Sequence, residues 1–102
     1  MPHVILFEHV RFHGAHKHVF VAEPNLNASD DRFFNDKVSS AVVLDGRWAF
    51  FRHGNFSDLL GVLGPGNYPS LQDVGIANDA VSSLRPAVGA EAEKGLIEPQ
   101  GE

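Results

Sequence analysis

The segment Asn35-Asp36-Lys37-Val38-Ser39-Ser40 recurs later in the chain as Asn78-Asp79-Ala80-Val81-Ser82-Ser83, with five of the six positions identical. Each copy follows a segment that opens and closes on phenylalanine, Phe7–Phe12 in the first case and Phe51–Phe56 in the second. The two hexapeptides lie 43 residues apart and the two aromatic segments lie 44 apart. Because both features repeat at nearly the same spacing, we infer that the chain contains two copies of one structural unit.

The sequence around the repeat is typical of an all-β domain. Short apolar runs rich in valine and phenylalanine are separated by glycine, proline, asparagine and aspartate, and no window keeps a helical period before the C-terminal end. Two copies of a four-stranded unit predict a β-sandwich. The predicted strands are Val4–Phe7, His18–Ala22, Ser39–Leu44, Arg47–Phe51, Leu59–Leu63 and Val81–Arg85.

Turn signals connect these strands. Asp45-Gly46 stands between the third and fourth predicted strands, and this dipeptide tolerates the positive φ of a type I′ turn. We therefore expect it to join them as an antiparallel hairpin. Long polar loops are expected over Glu23–Phe34 and Asn67–Asn78, the second with a short helical turn around Ser70–Asp73.

Length and composition suit one compact domain, because 102 residues with 43% hydrophobic side chains can bury one core. We expect this domain over residues 1–87, with the first unit at about 3–44 and the second at about 47–87. Residues 88–102 are rich in glycine, alanine and glutamate, so they are predicted to form a flexible tail.

The charge of the chain excludes some classes of partner. A net charge of -5 argues against nucleic acid or an anionic membrane as partner, because both are bound by basic patches. There is no cysteine, so no disulfide can stabilise the domain. The apolar run Val4–Leu6 is too short for a signal peptide, and no run approaches a membrane span. We expect a soluble monomer, either cytoplasmic or a mature secreted form.

The repeated hexapeptide is rich in oxygen atoms. Calcium takes six to eight hard oxygen ligands from carboxylates, amides, hydroxyls and backbone carbonyls. The first asparagine or aspartate, the carbonyl of the third residue and a serine hydroxyl can face one point, while Val38 and Val81 turn into the core. A single such segment would be read as an ordinary turn. Retention of the aspartate and both serine hydroxyls in two copies favours a shared ligand instead.

The other conspicuous side chains receive structural interpretations. The paired phenylalanines of Phe7–Phe12 and Phe51–Phe56 are expected to pack within folded hairpins, and Trp48 and Phe50 to belong to the core. Gly14 and its counterpart Asp58 are expected to adopt positive φ.

The chain contains six histidines, and His13, His16 and His18 lie close together in the sequence. With no cysteine and no H-E-x-x-H pattern they are interpreted as solvated residues rather than a transition-metal site. The sequence also lacks G-x-S-x-G, P-loop and G-x-G-x-x-G motifs, and we predict that the protein is not an enzyme.

These residues resemble the βγ-crystallin superfamily, and most closely its microbial calcium-binding members. In that family a Greek key is marked by an aromatic residue, four residues, an aromatic residue, one residue and glycine, followed by N/D-N/D-x-x-S/T-S. Phe7–Gly14 and Asn35–Ser40 match in full, as does Asn78–Ser83, whereas Phe51–Asp58 departs at the glycine. The resemblance implies two Greek-key motifs in two four-stranded antiparallel sheets packed face to face.

The resemblance also implies two Ca²⁺ sites, each built from both units. The first set is Glu8, Lys37, Ser39 and Asp79, and the second is Arg52, Ala80, Ser82 and Asp36, with Asn35 and Asn78 bracing the loops or coordinating directly. Arg52 places a cation beside a divalent ion, so its site is predicted to be the weaker one. The function implied is a non-enzymatic, structural or stress-related calcium-binding domain that the ion stabilises. The alternative is a protein-interaction module, inhibitor-like or toxin-like, on the same fold.

Overall fold

A computed structural model of the chain describes residues 1–26, 38–76 and 81–89, together with the backbone of residues 96–97. Two short 3-10 turns, Val10–Phe12 and Gln72–Val74, accompany eight strands within these ranges. The strands are β1 (His3–His9), β2 (His13–Val19), β3 (Ser40–Asp45), β4 (Trp48–His53), β5 (Ser57–Leu63), β6 (Gly66–Tyr68), β7 (Ser83–Pro86) and β8 (Leu96–Ile97).

The strands form two four-stranded sheets, which confirms the predicted all-β sandwich. The first sheet has the order β2-β1-β3-β6 and the second has the order β7-β4-β5-β8. Every pair is antiparallel except β5 with β8, which run parallel. No helix in the described ranges is long and apolar enough to span a membrane.

Each half of the chain contributes backbone pairing to the sheet of the other half. β6 belongs to the second half but pairs with β3 of the first, through the partners Ala41 and Tyr68. In return Glu23 of the first half forms an isolated bridge to Leu84 on β7, with N–O distances of 2.8 and 3.1 Å. Because of this exchange, neither sheet is complete without residues from both units.

The core lies between the sheets and follows the two-residue period of the strands. On β1, Val4 and Leu6 are fully buried while their neighbours are partly exposed. Trp48 and Phe50 are buried from the second sheet, as predicted. The central cluster also contains Val19, Leu26, Val38, Ala41, Val43, Leu63, Tyr68, Leu71, Ile76, Val81 and Leu84.

The outer faces of the two sheets differ. β4 is buried on both faces over Trp48–Phe51, because Ala49 and Phe51 pack with Val62 in a second cluster that Phe56 and Ala87 partly cover. The continuous apolar run in this part of the sequence reflects that double burial. The outer face of the first sheet instead carries exposed histidines along β2.

The expectation of a hairpin at Asp45-Gly46 is wrong. β3 pairs with β1 and β6, whereas β4 pairs with β5 and β7, so this turn carries the chain from one sheet to the other. Gly46 does have the expected positive φ, 84°. A type I′ hairpin would need positive φ at Asp45 as well, and Asp45 does not have it. A glycine with positive φ suits either connection, so the dipeptide alone does not distinguish them.

One strand differs from its predicted position, and two strands were not predicted. β2 covers His13–Val19 rather than His18–Ala22, since Lys17 shares the less exposed face with Ala15 and Val19 and breaks the apolar alternation. β6 lies in a stretch expected to be turn and loop, because three residues are too few to show a period. Leu96–Ile97 pairs with Val62 and Leu63 inside the stretch expected to be a flexible tail. The predicted helical turn is present at Gln72–Val74.

Truncating Leu6 tests the position of the core. We expect Leu6→Ala to lower the free energy of unfolding by about 2–5 kcal/mol, because it removes a fully buried side chain and leaves a cavity. Leu44→Ala is the matched control, since Leu44 is 52% exposed on β3 and its truncation should change stability little. Urea unfolding measures both; equal losses would contradict this assignment of the core.

Candidate functional site

Four of the ten residues predicted to form metal sites are described by the structure: Glu8, Ser39, Arg52 and Ser82. The other six, Asn35, Asp36, Lys37, Asn78, Asp79 and Ala80, lie outside the described residues. Their assignment as ligands therefore stays a prediction.

In the first half, Ser39 lies against the end of β1. Its amide nitrogen donates to the carbonyl oxygen of Phe7 at 2.9 Å, which places Ser39 beside the Phe7–Glu8 peptide bond. The carbonyl oxygen of Ser39 accepts from the amide of Leu71, a residue of the second half, at 3.0 Å. Ser39 therefore joins the end of a strand in its own unit to the loop of the other unit.

The second half repeats this arrangement. The amide of Ser82 donates to the carbonyl oxygen of Phe51 at 2.9 Å, beside the Phe51–Arg52 peptide bond. The amide of Leu26, from the first half, donates to the carbonyl oxygen of Ser82 at 2.9 Å. The structure thus places Ser39 beside the peptide bond that precedes Glu8, and Ser82 beside the one that precedes Arg52, in two places related by the internal repeat.

The serines in the sixth position of the hexapeptides have a different role. Ser40 Oγ donates to the carbonyl oxygen of His9 at 2.6 Å and accepts from the amide of Phe12 at 3.0 Å. Ser83 Oγ donates to the carbonyl oxygen of His53 at 2.6 Å and accepts from the amide of Phe56 at 3.1 Å. Both serines, which we call the hairpin serines, are fully buried.

The hairpin serines hold a strained backbone. Arg11 and Phe12 have φ values of 57° and 63°, and Asn55 and Phe56 have 57° and 59°. Non-glycine residues in this region are uncommon and persist where the surroundings over-determine them. The interpretation that both serines of each hexapeptide are retained for a ligand is therefore wrong for the hairpin serines, whose hydroxyls satisfy the backbone of the folded hairpin.

Contacts to the opposite half secure the hairpin tips further. The amide of Arg11 donates to the carbonyl oxygen of Pro69 at 2.7 Å, and the amide of Asn55 donates to that of Pro24 at 2.8 Å. Each hairpin is thus held both by its own unit and by the loop that crosses from the other unit.

Several structural predictions for this region are confirmed. Val38 and Val81 are fully buried in the core. The two phenylalanine pairs pack edge to face, with ring centroids 5.5 Å apart in Phe7–Phe12 and 5.8 Å apart in Phe51–Phe56. Gly14 and Asp58 have φ values of 84° and 67°, as expected from the repeat.

The two halves differ in charge beside the strand ends. Arg52 Nε donates to Asp58 Oδ2 at 2.9 Å, and both side chains are about half exposed. In the first half Glu8 Oε1 accepts from the amide of Ala15 at 3.4 Å. A side chain at the Gly14 position would crowd Glu8 and His9, because an added Cβ would lie 2.6 Å from His9 Cδ2. The second half thus has an Arg52–Asp58 ion pair at the positions where the first half has Glu8 and Gly14.

The predicted ligand atoms among the described residues are the hydroxyls of Ser39 and Ser82 and the carbonyls of Glu8 and Arg52, which are hard oxygen atoms of the kind that calcium prefers. Over the ranges 1–26, 38–76 and 81–89, no three histidine, aspartate or glutamate side chains converge on one point. His13, His16 and His18 are exposed, as predicted.

A model of the Beta/Gamma crystallin family matches residues 3–87. The β/γ-crystallin of Ciona intestinalis is 36% identical over 85 residues, which cover 83% of this chain and 98% of the relative. The crystal structure of a βγ-crystallin from an archaeon has a TM-score of 0.76 at 34% identity, covering 84% of this chain and 98% of that one. The structure of a transition-metal-ion-binding βγ-crystallin from Methanosaeta thermophila has a TM-score of 0.71 at 34% identity, covering 82% and 99%.

Removing the hairpin serines tests their structural role. We expect Ser40→Ala and Ser83→Ala each to lower the free energy of unfolding by about 1–3 kcal/mol, because a buried donor and acceptor of the hairpin backbone lose their partner. The losses should be similar, since the two sets of hydrogen bonds match within 0.1 Å. Chemical denaturation measures them, with Ser57→Ala as the exposed control. A loss in only one half would contradict the equivalence.

Proposed function

This chain belongs to the βγ-crystallin family, and on that premise we propose that it is a non-enzymatic domain that binds two calcium ions and is stabilised by them. The observation that carries the proposal is the repeated position of Ser39 and Ser82, each beside a strand-end peptide of its own half and hydrogen-bonded to the loop of the other half. This arrangement supports sites whose ligands come from both units.

The proposed ligands follow the repeat. Each site takes a strand-end carbonyl, the carbonyl of the third hexapeptide residue, the fifth-position hydroxyl and an aspartate from the other half. The first site would use Glu8, Lys37, Ser39 and Asp79, and the second would use Arg52, Ala80, Ser82 and Asp36, with Asn35 and Asn78 bracing the loops or coordinating. The donors are oxygens throughout, so we expect these sites to select Ca²⁺ over the softer transition metals.

Binding of this kind stabilises the fold because the ligands converge only in the native state. The unfolded chain has no means of holding two loops from different halves around one ion, so calcium binds the folded domain alone. The resulting stabilisation grows with the logarithm of free calcium. Mostly neutral oxygen donors place the affinity at about 10⁻⁶ to 10⁻³ M.

The two sites should not be equal, because of Arg52. Its guanidinium pairs with Asp58 at 2.9 Å, and the pair is about half exposed. The proposed ligand at this position is the main-chain carbonyl, so the cation can be tolerated while its side chain is engaged elsewhere. Its positive charge still opposes a second cation nearby, with an effect that solvent and salt reduce.

A protein-interaction module is the second candidate, and one surface favours it. Phe20, Val21 and Val88 are 42%, 72% and 62% exposed and line one groove with Pro2 and Pro86. Exposed apolar surface of this kind is common at sites where proteins meet. This function becomes the leading candidate if the domain binds no calcium.

Calcium titration tests the proposal directly. We expect isothermal titration of the decalcified protein to show two binding events per chain. At a calcium concentration of 100 times Kd, each site should add about 2.7 kcal/mol to the free energy of unfolding. For a domain of this size the thermal midpoint should rise by roughly 10 °C or more, relative to the protein in chelator.

Substitutions separate the site serines from the other hydroxyls. Ser39→Ala and Ser82→Ala should each weaken one site and leave the other, whereas Ser57→Ala, at an exposed position on β5, should change neither. Circular dichroism of the calcium-free variants checks that they are folded. An unchanged midpoint with calcium, or no binding to a folded protein, would remove the proposal.

Charge reversal at Arg52 tests the asymmetry of the sites. We expect Arg52→Glu to tighten one of the two calcium affinities about fivefold, equivalent to roughly 1 kcal/mol for partly screened surface charges. Glu8→Arg is the matched change in the first half and should weaken the other affinity. Both effects should shrink at high salt. Equal shifts at both sites, or none at either, would reject the role of Arg52.

A further inference from the structure

Two histidines meet on the outer face of the first sheet. His3 lies on β1 and His18 on the neighbouring strand β2, and His3 Nε2 lies 2.8 Å from His18 Nδ1 at an exposed position. The strand register pairs Ile5 with His18, so His3 reaches its partner diagonally across the two strands. We call these residues the histidine pair; they lie 15 apart in the sequence, and only the register brings them together.

Neighbouring rings hold the pair in place. The ring of Phe20 stacks on that of His3, with centroids 4.3 Å apart. The ring of His16 packs edge to face against His18, with centroids 5.4 Å apart. Because both histidines stand on paired strands and touch other rings, the two nitrogens are held side by side.

The separation of the two nitrogens suits a shared metal ion. Zinc binds imidazole nitrogen at about 2.0–2.1 Å, so two such bonds place the nitrogens about 2.9 Å apart at a right angle and about 3.4 Å apart at a tetrahedral angle. The observed 2.8 Å therefore needs an opening of a few tenths of an ångström, and both rings must turn so that the nitrogens that face each other point to one ion. His3 is partly exposed and His18 is exposed, so rotation about χ1 and χ2 allows this change.

We propose that the histidine pair binds a divalent transition-metal ion of the Zn²⁺, Ni²⁺ and Cu²⁺ class through His3 Nε2 and His18 Nδ1. Water completes the coordination, since no third histidine or carboxylate in the described ranges converges there. Imidazole is the protein ligand that suits these ions. The site is chemically unlike the oxygen-lined loops and is independent of whether those loops bind calcium.

Binding of the metal ion by two neutral imidazole rings involves no redox step and no net gain or loss of protons. In the metal-free pair one nitrogen donates its hydrogen to the other. The metal ion needs a lone pair from each of these two nitrogens, so the donor nitrogen loses its proton to solvent. The other nitrogen of the donor ring takes up a proton from solvent. The donor histidine thus changes tautomer, which gives a signature besides affinity.

At the equivalent positions of the second half, which the structure describes, the histidine pair is not repeated. The pairing of Ala49 with Val62 in the second sheet corresponds to that of Ile5 with His18 in the first, so Val62 stands at the position of His18. The histidine at position 3 corresponds to Arg47, 44 residues later. One transition-metal ion per chain is therefore expected, against two calcium ions.

Zinc titration of the tag-free protein in excess calcium tests the proposal. We expect calorimetry to show one Zn²⁺ per chain. His3→Gln and His18→Gln should each weaken zinc binding at least about tenfold, because each removes a direct ligand and loss of a residue that only hydrogen-bonds a ligand already costs about that much. His13→Gln on the same strand and His53→Gln on β4 are matched controls for exposed histidines and should bind as wild type.

Nitrogen-detected NMR of the wild-type histidine rings needs no variant. Zinc should shift the ring signals of His3 and His18 and convert one of them to the other tautomer. The proposal is overturned if the ring signals of His3 and His18 do not move, if His3→Gln and His18→Gln bind zinc as wild type, or if the control variants lose as much affinity as these two.

Discussion

The exchange of backbone pairing between the two halves is the constraint on which the rest of this structure depends. β6 completes the first sheet and Glu23 bridges to β7 of the second, so each sheet contains backbone hydrogen bonds between the two units. The same crossing places Leu71 against Ser39 and Leu26 against Ser82. Because of it, residues of both halves share the central cluster, and Ser39 and Ser82 each lie where the units meet.

The folded hairpins are the second element of the architecture. In each hairpin the residues with positive φ cost conformational energy. A buried serine that hydrogen-bonds both sides of the hairpin offsets this cost. The two hairpins differ at one position of positive φ, where the first has Gly14 and the second has Asp58. Positive φ is strained for Asp58, and its side chain forms an ion pair with Arg52.

The repeat carried most of what could be predicted from the sequence. Two hexapeptides at 43 residues and two aromatic segments at 44 predict the two units, the β-sandwich and the burial of Val38 and Val81. The connection at Asp45-Gly46 was predicted wrongly, because the choice between a hairpin and a crossing depends on which sheet each strand joins. That choice is made by packing over the whole chain rather than by the turn.

The candidate site was predictable only in part for the same reason. Residue type predicts Ser39 and Ser82 as oxygen ligands, which stays a prediction, and it could not separate them from the hairpin serines one position later. The role of the hairpin serines depends on the folded hairpins that their hydroxyls bond, and these are formed by tertiary packing. The histidine pair was missed because its members are 15 residues apart and meet only through the register of β1 and β2.

One edge of the second sheet is formed by β8, whose backbone runs parallel to β5 at Val62 and Leu63. A long uncovered edge strand offers a row of unpaired amides and carbonyls on which another chain can add a strand. β8 has only two residues, so it covers the buried end of β5 and itself offers another chain a short row, which disfavours edge-to-edge aggregation there.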